Sequence, residues 1–219
     1  PVHLFVIDSD PMEFESRGDT DDGYADHYDG SPGAIQRQWL EDAVEESDAP
    51  WKVVAMHHPP YSSGASYGSH GFVQWDYDDM GVDLVLAGHH HAYERVERDG
   101  VVYLTNGLGG DDTYRNWGGT VTGSKFRWPV APQELRMGLV ELSATSSTLE
   151  LRTRIFDPDD PERDPFRSAD VRQIDSYSFP PKAATVEVTT SSLPSGTVGT
   201  AYSRSLAATG GTTPYTWTR

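Results

Sequence analysis

The sequence predicts an α/β fold in its first half, antiparallel β structure in its second half, and a separate module at its C-terminal end. In the first half, short apolar runs alternate with a helical pattern. Later segments alternate apolar with charged residues, and the composition changes after Pro180-Pro181. We therefore expect two parts, residues 1–182 and residues 183–219, the second being a linker and an incomplete β module.

The predicted strands follow from hydrophobic pattern. Short apolar runs bounded by polar residues are typical of buried strands, and strict alternation is typical of half-buried ones. The predicted strands cover residues 2–7, 53–56, 82–87, 101–104, 136–143 and 148–156. A short helix is predicted near residues 72–79.

A longer helix is predicted to begin at Ser31 and Pro32, because serine is a good N-cap and proline fits the first helical turn. The segment Asp48-Ala49-Pro50 is predicted to end it. Its apolar face is expected to contain Ile35, Trp39, Leu40, Ala43 and Val44.

Composition and charge exclude several classes of protein. The 219 residues include 34 acidic and 17 basic side chains, and the net charge of −17 argues against binding to long nucleic acid or an anionic membrane. The absence of cysteine excludes disulfides and thiolate metal sites. No run of 18 apolar residues occurs, so we expect no membrane span.

Five of the eight histidines lie in two groups, each directly after a predicted strand. His57-His58 follows residues 53–56, and His89-His90-His91 follows residues 82–87 and Gly88. The carboxyl ends of strands in α/β sheets are where ligands bind, and histidine is the commonest metal ligand. These groups predict a metal site, although three consecutive histidines can also form a polar surface tract.

The spacing within each group indicates which side chains face the metal. If residues 88–91 are extended, His89 and His91 point to one side and His90 to the other. Gly88 is expected to let the backbone turn off the strand end. His57 is expected to converge from the neighbouring strand, while His58 and His90 are expected to be structural or to line the substrate site.

Two segments carry a resemblance to a known family. Residues 53–61, with His57-His58-Pro59-Pro60, and residues 86–95, with Gly88-His89-His90-His91-Ala92-Tyr93-Glu94-Arg95, resemble the C-terminal half of a calcineurin-like metallophosphoesterase of the purple acid phosphatase branch. The resemblance covers roughly residues 1–180. It implies the C-terminal part of a four-layer αββα sandwich and hydrolysis of phosphate esters by attack of a metal-bound hydroxide.

The resemblance also implies two metal ions, Fe together with Zn, Mn or a second Fe. By that resemblance His57 and His89 bind one ion and His91 binds the other. His70 is the candidate for the histidine that protonates the leaving oxygen or holds the phosphate. Tyr93 and Arg95 are expected to pack behind the site rather than to act as catalysts.

The resemblance implies that the family's first metal motifs, Asp followed by His or Gly, Gly-Asp-x-x-Tyr, and Gly-Asn-His, lie before the opening strand, and this sequence does not carry them there. The stretch Gly18-Asp19-Thr20-Asp21-Asp22-Gly23-Tyr24 is interpreted as a solvated acidic loop, because Tyr24 lies two positions late. The chain opens without Met and closes in a strand-like segment. We therefore expect a fragment of a longer enzyme, inactive by itself.

The tail differs from the rest of the chain, with a net charge of +1 in residues 183–219 against −18 in residues 1–182. The run Gly210-Gly211-Thr212-Thr213-Pro214-Tyr215-Thr216-Trp217 resembles the start of a bacterial Ig-like module of extracellular proteins. A Thr/Ser-rich linker is the alternative. We expect a secreted or cell-surface protein whose module contacts a cell surface or a polysaccharide.

Two further functions are compatible with the sequence. One is a nucleotidase of the same fold, because the charge disfavours long nucleic acid but not small nucleotides. The other is an extracellular binding protein in which a degenerate phosphoesterase fold serves as a scaffold for the Ig-like module.

Overall fold

The computed structural model describes residues 1–10, 32–110, 117–129, 136–156, 171–180 and 187–209. The chain divides into two compact units, Pro1–Phe179 and Pro180–Arg219. The predicted acidic loop with Gly18–Tyr24, the predicted N-cap Ser31 and the run at residues 210–217 lie outside the described residues.

The first unit contains a six-stranded mixed sheet. Its strands are β1 (Val2–Val6), β2 (Trp51–Ala55), β3 (Leu84–Ala87), β4 (Tyr93–Arg98), β5 (Val101–Asn106) and β6 (Ser124–Trp128). They lie in the order β1-β2-β3-β5-β4-β6. The first four strands of this order run parallel, whereas β4 pairs antiparallel with both β5 and β6. The predicted α/β architecture is confirmed for this part of the chain.

Helices cover one face of this sheet. They are α1 (Pro32–Glu45), a 3₁₀ helix (Gly71–Val73) and α2 (Tyr77–Met80). Leu40 and Val44 of α1 are fully buried and belong to the same core as Val54 of β2 and Val85 of β3. Burial of such side chains stabilises the layer by about 1.5–3 kcal/mol each.

The other face is covered by a three-stranded antiparallel sheet made of β7 (Met137–Ala144), β8 (Leu149–Phe156) and β9 (Arg172–Ser178). Leu149 and Leu151 of β8 pack with Val53 of β2 and Leu84 of β3. Adjacent residues of β2 therefore face the two different cores, as the twofold strand period requires. Within the described residues the layers are helix, sheet and sheet, without the fourth layer of the predicted sandwich.

Two predictions of burial are wrong. Ile35 and Trp39 are 59% and 48% exposed, because they lie about 140° and 100° around α1 from Leu40, outside the stripe that meets the sheet. The opening strand is buried on one face only. Val2, Leu4 and Val6 of β1 are exposed, since β1 is the edge strand of the sheet within the described residues.

A polar bridge joins the two sheets. Asp175 of β9 accepts hydrogen bonds from Tyr93 Oη at 2.8 Å and from Arg95 Nε at 2.7 Å and Nη2 at 3.2 Å. Burial disfavours the charged Arg95 guanidinium, but Asp175 outweighs this and raises the pKa of Arg95 above its ordinary value. Burial also raises the pKa of Tyr93, which keeps its hydroxyl protonated as a donor.

The second unit contains one short antiparallel pair within the described residues, β10 (Glu187–Val188) and β11 (Ala208–Thr209). Glu187 lies opposite Thr209, and Val188 lies opposite Ala208. None of the helices among the described residues of either unit has the length and hydropathy that crossing a membrane requires.

The Asp175 bridge predicts a large loss of stability when its acceptor is removed. Asp175→Ala leaves the Arg95 guanidinium and the Tyr93 hydroxyl without their shared partner, so we expect the free energy of unfolding to fall by about 3 kcal/mol. Urea denaturation measures this change. The control is Glu150→Ala, which removes the exposed ion pair with Arg152 and is expected to cost less than about 1 kcal/mol. Equal losses in the two variants would contradict this assignment.

Candidate metal centre

The parallel pairing of β2 with β3 brings the two histidine groups together. Val53 lies opposite Leu84 and Ala55 opposite Leu86, so both strands end at the same edge of the sheet. The ladder continues past the strands, where the Gly88 N–H donates to the His57 carbonyl at 3.0 Å. This bond joins the first residue of one histidine group directly to the residue before the other.

Three histidines form a compact group of nitrogen atoms. One ring nitrogen from each of His57, His58 and His89 lies within 4.8 Å of the other two. His57 Nε2 and His89 Nδ1 are 2.9 Å apart. His57 is exposed, His89 is half-buried and His58 is buried, so the group is embedded on one side and open on the other.

His89 reaches the group through a tight turn and not through an extended segment. Its φ is 64°, in the left-handed region, and the His90 N–H donates to the Gly88 carbonyl at 2.7 Å. This is a γ-turn centred on His89. The expectation of an extended segment with its sharp turn at Gly88 is wrong, because the i to i+2 hydrogen bond forces the turn onto His89. Such a conformation costs a non-glycine residue roughly 1–3 kcal/mol and is frequent at functional sites.

Gly107 makes room for this turn. A side chain there would place its first carbon 2.1 Å from the His90 carbonyl oxygen and 2.8 Å from the His91 Cα. The Gly107 N–H also donates to the Ala92 carbonyl at 3.0 Å. The residue after β5 therefore fixes the path of the histidine turn from behind.

Ser9 holds His58 in place. Its hydroxyl oxygen lies 2.8 Å from His58 Nδ1 and accepts the His58 backbone N–H at 3.1 Å. Both residues are about 1% exposed. With Nδ1–H donating to Ser9, Nε2 remains as the atom of His58 that can bind a metal. Sequence reasoning did not predict a role for Ser9, and its position two residues beyond the Ile7 that ends the predicted strand is the only local signal.

The aromatic rings of His70 and Phe72 pack beside the group of three histidines. The His70 ring centroid lies 4.8 Å from that of His58 and 5.0 Å from that of His89. Phe72 lies 5.4 Å from His58 and 5.3 Å from His70. The backbone places His70 here through its N–H, which donates to the Pro59 carbonyl at 3.0 Å.

His90 and His91, which follow His89 in the second histidine group, lie outside the group of three ring nitrogens. His90 is fully buried, with its ring 4.8 Å from the Trp117 ring and its Nδ1 3.4 Å from the Ser62 hydroxyl. His91 is half-buried and is the central residue of a second tight turn, since the Ala92 N–H donates to the His90 carbonyl at 2.6 Å.

Glu94 anchors the loop that carries these contacts. It is fully buried and accepts three hydrogen bonds of 2.6 Å, from the Ser63 N–H, the Ser63 hydroxyl and the Ser124 hydroxyl. The Ser63 hydroxyl in turn accepts the Val121 N–H at 2.9 Å. Tyr93 and Arg95 point to the opposite face, to Asp175, so successive residues of β4 hold the site loop and the second sheet.

The two segments that contain the site histidines carry no fixed charge. Residues 57–75 and 84–93 contain no Asp, Glu, Lys or Arg, in a chain whose net charge is −17. An anionic ligand that approaches the histidines therefore meets no carboxylate from either segment.

The donor set fits a borderline metal ion. Neutral imidazole suits Zn, Fe and related ions, and two nitrogen ligands of one tetrahedral ion lie about 3.3 Å apart. The 2.9 Å between His57 and His89 is close to this spacing. The group contains no carboxylate among the described residues, so any oxygen ligand would come from elsewhere.

Comparison with known proteins shows what this unit is similar to. Residues 8–93 match the model of the calcineurin-like phosphoesterase family. The lupin purple acid phosphatase PPD1 aligns with 81% of this chain and 30% of its own length, with a TM-score of 0.55 and 19% identity. The Plasmodium anchor protein GAP50 aligns with 83% of this chain and 50% of its own, with a TM-score of 0.54 and 18% identity.

The curated relatives of the chain include purple acid phosphatases. The Fe(3+)-Zn(2+) purple acid phosphatase 12 of Arabidopsis thaliana is 39% identical over 84 residues, which is 33% of this chain and 18% of that protein. The Glycine max purple acid phosphatase is 40% identical over 88 residues, again 33% and 18%. The chain thus spans about a fifth of the length of these relatives. Residues 8–93 are similar to a calcineurin-like phosphoesterase domain, and the curated relatives of the chain include purple acid phosphatases.

The Ser9 contact predicts an effect on metal binding. Ser9→Ala removes the partner of His58 Nδ1, so we expect the affinity for Zn²⁺ to fall by about 10-fold or more. Isothermal titration calorimetry measures it, and Ser143→Ala, at an exposed position of β7, is the control. Unchanged affinity in Ser9→Ala would show that the Ser9 contact does not orient His58 for metal binding.

Gly107 gives a steric prediction with a matched control. Gly107→Ala forces the histidine turn to move, and we expect a loss of about 2 kcal/mol in the free energy of unfolding. Gly109→Ala adds the same methyl group where no atom lies within 4 Å and is expected to be nearly neutral. Thermal or urea unfolding of both variants checks this, and similar losses in the two would argue against the close approach at Gly107.

Proposed function

We propose that the protein hydrolyses phosphate esters and that His57, His58 and His89 provide nitrogen ligands for a catalytic metal ion. The observation that supports this most is the convergence of their ring nitrogens within 4.8 Å at adjacent strand ends, inside a segment that matches the phosphoesterase family model. Because the chain spans only part of its curated relatives, the activity is proposed for the whole protein.

Each residue of the site has a distinct part in this proposal. His57 and His89 bind one ion from the open side, while His58 approaches from the buried side with Ser9 fixing its ring. His91 binds a second ion, as the resemblance implies. Fe with Zn, Mn or a second Fe is the expected pair, and such ions, when bound, polarise the phosphoryl oxygens and activate water for attack.

His70 is proposed as the residue that holds the phosphate or protonates the leaving oxygen. Its ring lies beside those of His58 and His89, within reach of a group bound between them, and histidine changes its protonation near neutral pH. His90, Tyr93 and Arg95 support the site from behind, through Trp117 and Asp175.

The electrostatics of the site favour an anionic substrate. The strongly acidic surface of the protein repels a phosphate ester at long range, but segments 57–75 and 84–93 add no carboxylate beside the histidines. Positive charge supplied by bound metal ions then attracts the phosphate locally. This favours small phosphate esters over long polyanions.

Turnover of p-nitrophenyl phosphate tests the proposal. We expect the whole protein, supplied with Fe, Zn or Mn, to hydrolyse it. His57→Ala and His89→Ala should each lower kcat/KM by about 100-fold or more, because each removes a metal ligand. His3→Ala is the control, since His3 lies in the edge strand and contacts Ser47.

Two results would count against this account. Full activity in His57→Ala or His89→Ala would remove these residues from the site. A metal-loaded whole protein without activity would favour the binding-protein hypothesis instead. We expect residues 1–219 alone to be inactive, because the chain contains no Gly-Asn-His motif, which the resemblance implies as a source of metal ligands. Activity of this segment would contradict the need for that motif.

The tail is proposed to begin an Ig-like module of an extracellular protein that contacts a cell surface or a polysaccharide. Its composition supports this, as does the antiparallel pair β10–β11 in the second unit. Binding of residues 183 onward of the whole protein to insoluble polysaccharides would test it, with absence of retention as the opposing result.

A further inference from the structure

Tyr67 lies at the rim of the histidine group. Its ring centroid is 5.0 Å from that of His89, and the two rings are nearly perpendicular at 87°. The residue is 44% exposed, so part of an aromatic ring is presented to solvent directly beside a proposed metal ligand. Neither the resemblance nor the proposed mechanism gives this side chain a role.

The loop that carries Tyr67 is closed by its own hydrogen bonds. The Ser62 N–H donates to the Ser69 hydroxyl at 3.0 Å, and that hydroxyl donates to the Ser62 carbonyl at 3.1 Å. Gly68 packs so closely that a side chain there would come within 2.3 Å of the Gly64 carbonyl oxygen. The loop therefore holds its exposed aromatic ring in a defined place, which lowers the entropy cost of binding against it.

The base of the loop is tied to the rest of the fold. Gly64 forms a bridge with Trp117, and Ser63 is held by the buried Glu94. The loop is also free of charged residues, as is the whole of residues 57–75. The loop therefore offers no side chain of opposite charge to a charged group that would lie against Tyr67. An uncharged planar group is consequently the better partner for this rim.

We propose that Tyr67 is a specificity-determining residue that stacks on a planar ring in the alcohol part of the substrate. The site then prefers phosphate monoesters of ring-bearing alcohols, such as aryl or nucleoside monophosphates, over esters of simple alkyl alcohols. A ring attached to a phosphate held at His57 and His89 lies next to Tyr67, since His89 is the ring that Tyr67 contacts. The inference rests on the proposed function.

Binding of two non-hydrolysable analogues to the whole, Zn²⁺-loaded protein tests this. Phenylphosphonate carries a ring and methylphosphonate does not, while both present the same phosphonate group. We expect Tyr67→Ala to weaken phenylphosphonate about five- to tenfold, the size of one aromatic contact, and to change methylphosphonate less than twofold. Tyr67→Phe should bind both as the unaltered protein does. Calorimetry gives the affinities, and Tyr202→Ala is the matched control, a tyrosine of 45% exposure in the other unit.

The outcomes separate this inference from the proposed function. If the unaltered protein binds both phosphonates but Tyr67→Ala weakens both equally or neither, the inference is overturned and the function stands. If Tyr67→Phe loses as much as Tyr67→Ala, the hydroxyl and not the ring makes the contact, which also overturns it. If neither phosphonate binds the unaltered protein, both the function and the inference fail. The ratio of kcat/KM for phenyl phosphate and glycerol 2-phosphate should fall by the same factor in Tyr67→Ala.

Discussion

The parallel register between β2 and β3 is the constraint on which the site depends. Three residue pairs, from Val53–Leu84 to Ala55–Leu86, fix where the two strands end, and the bond from Gly88 to the His57 carbonyl extends that register into the loops. A slip by one residue would reverse the faces of the strand. It would move Val54 or Val85, according to which strand slips, out of the helix-side core and His57 away from His89. Core packing and site geometry are thus specified by the same pairing.

The site itself is held by contacts from distant parts of the chain. Ser9, three residues after the end of β1, orients His58, and Gly107 after β5 leaves space for the turn at His89. Glu94 in β4 fixes the loop that carries Tyr67. The φ of His89 is 64°, and the Gly88–His90 hydrogen bond and the close approach of Gly107 accompany this strained turn. A rigid frame of this kind suits a metal site, since ligands must be held before the ion binds.

Most strands of the fold could be predicted from the sequence, whereas fewer details of the histidine site could. Apolar runs revealed β2, β3 and β5 because their buried faces need Val, Leu and Ile. They did not reveal β4, whose Glu94 is buried and whose Arg95 is half-buried only because partners in remote segments satisfy them. Ser9 was invisible for the same reason, because its partner His58 lies 49 residues away. The prediction of an extended backbone at residues 88–91, made from local spacing, was also wrong at His89, where a γ-turn forms.

The location of a bound metal ion tests the central claim most directly. An anomalous-difference map from a crystal of the Zn²⁺-loaded protein should show an ion about 2.0–2.1 Å from ring nitrogens of His57 and His89. That result would make the two strand ends the metal site. An ion bound only by surface carboxylates, with these two imidazoles still in contact with each other, would contradict the account.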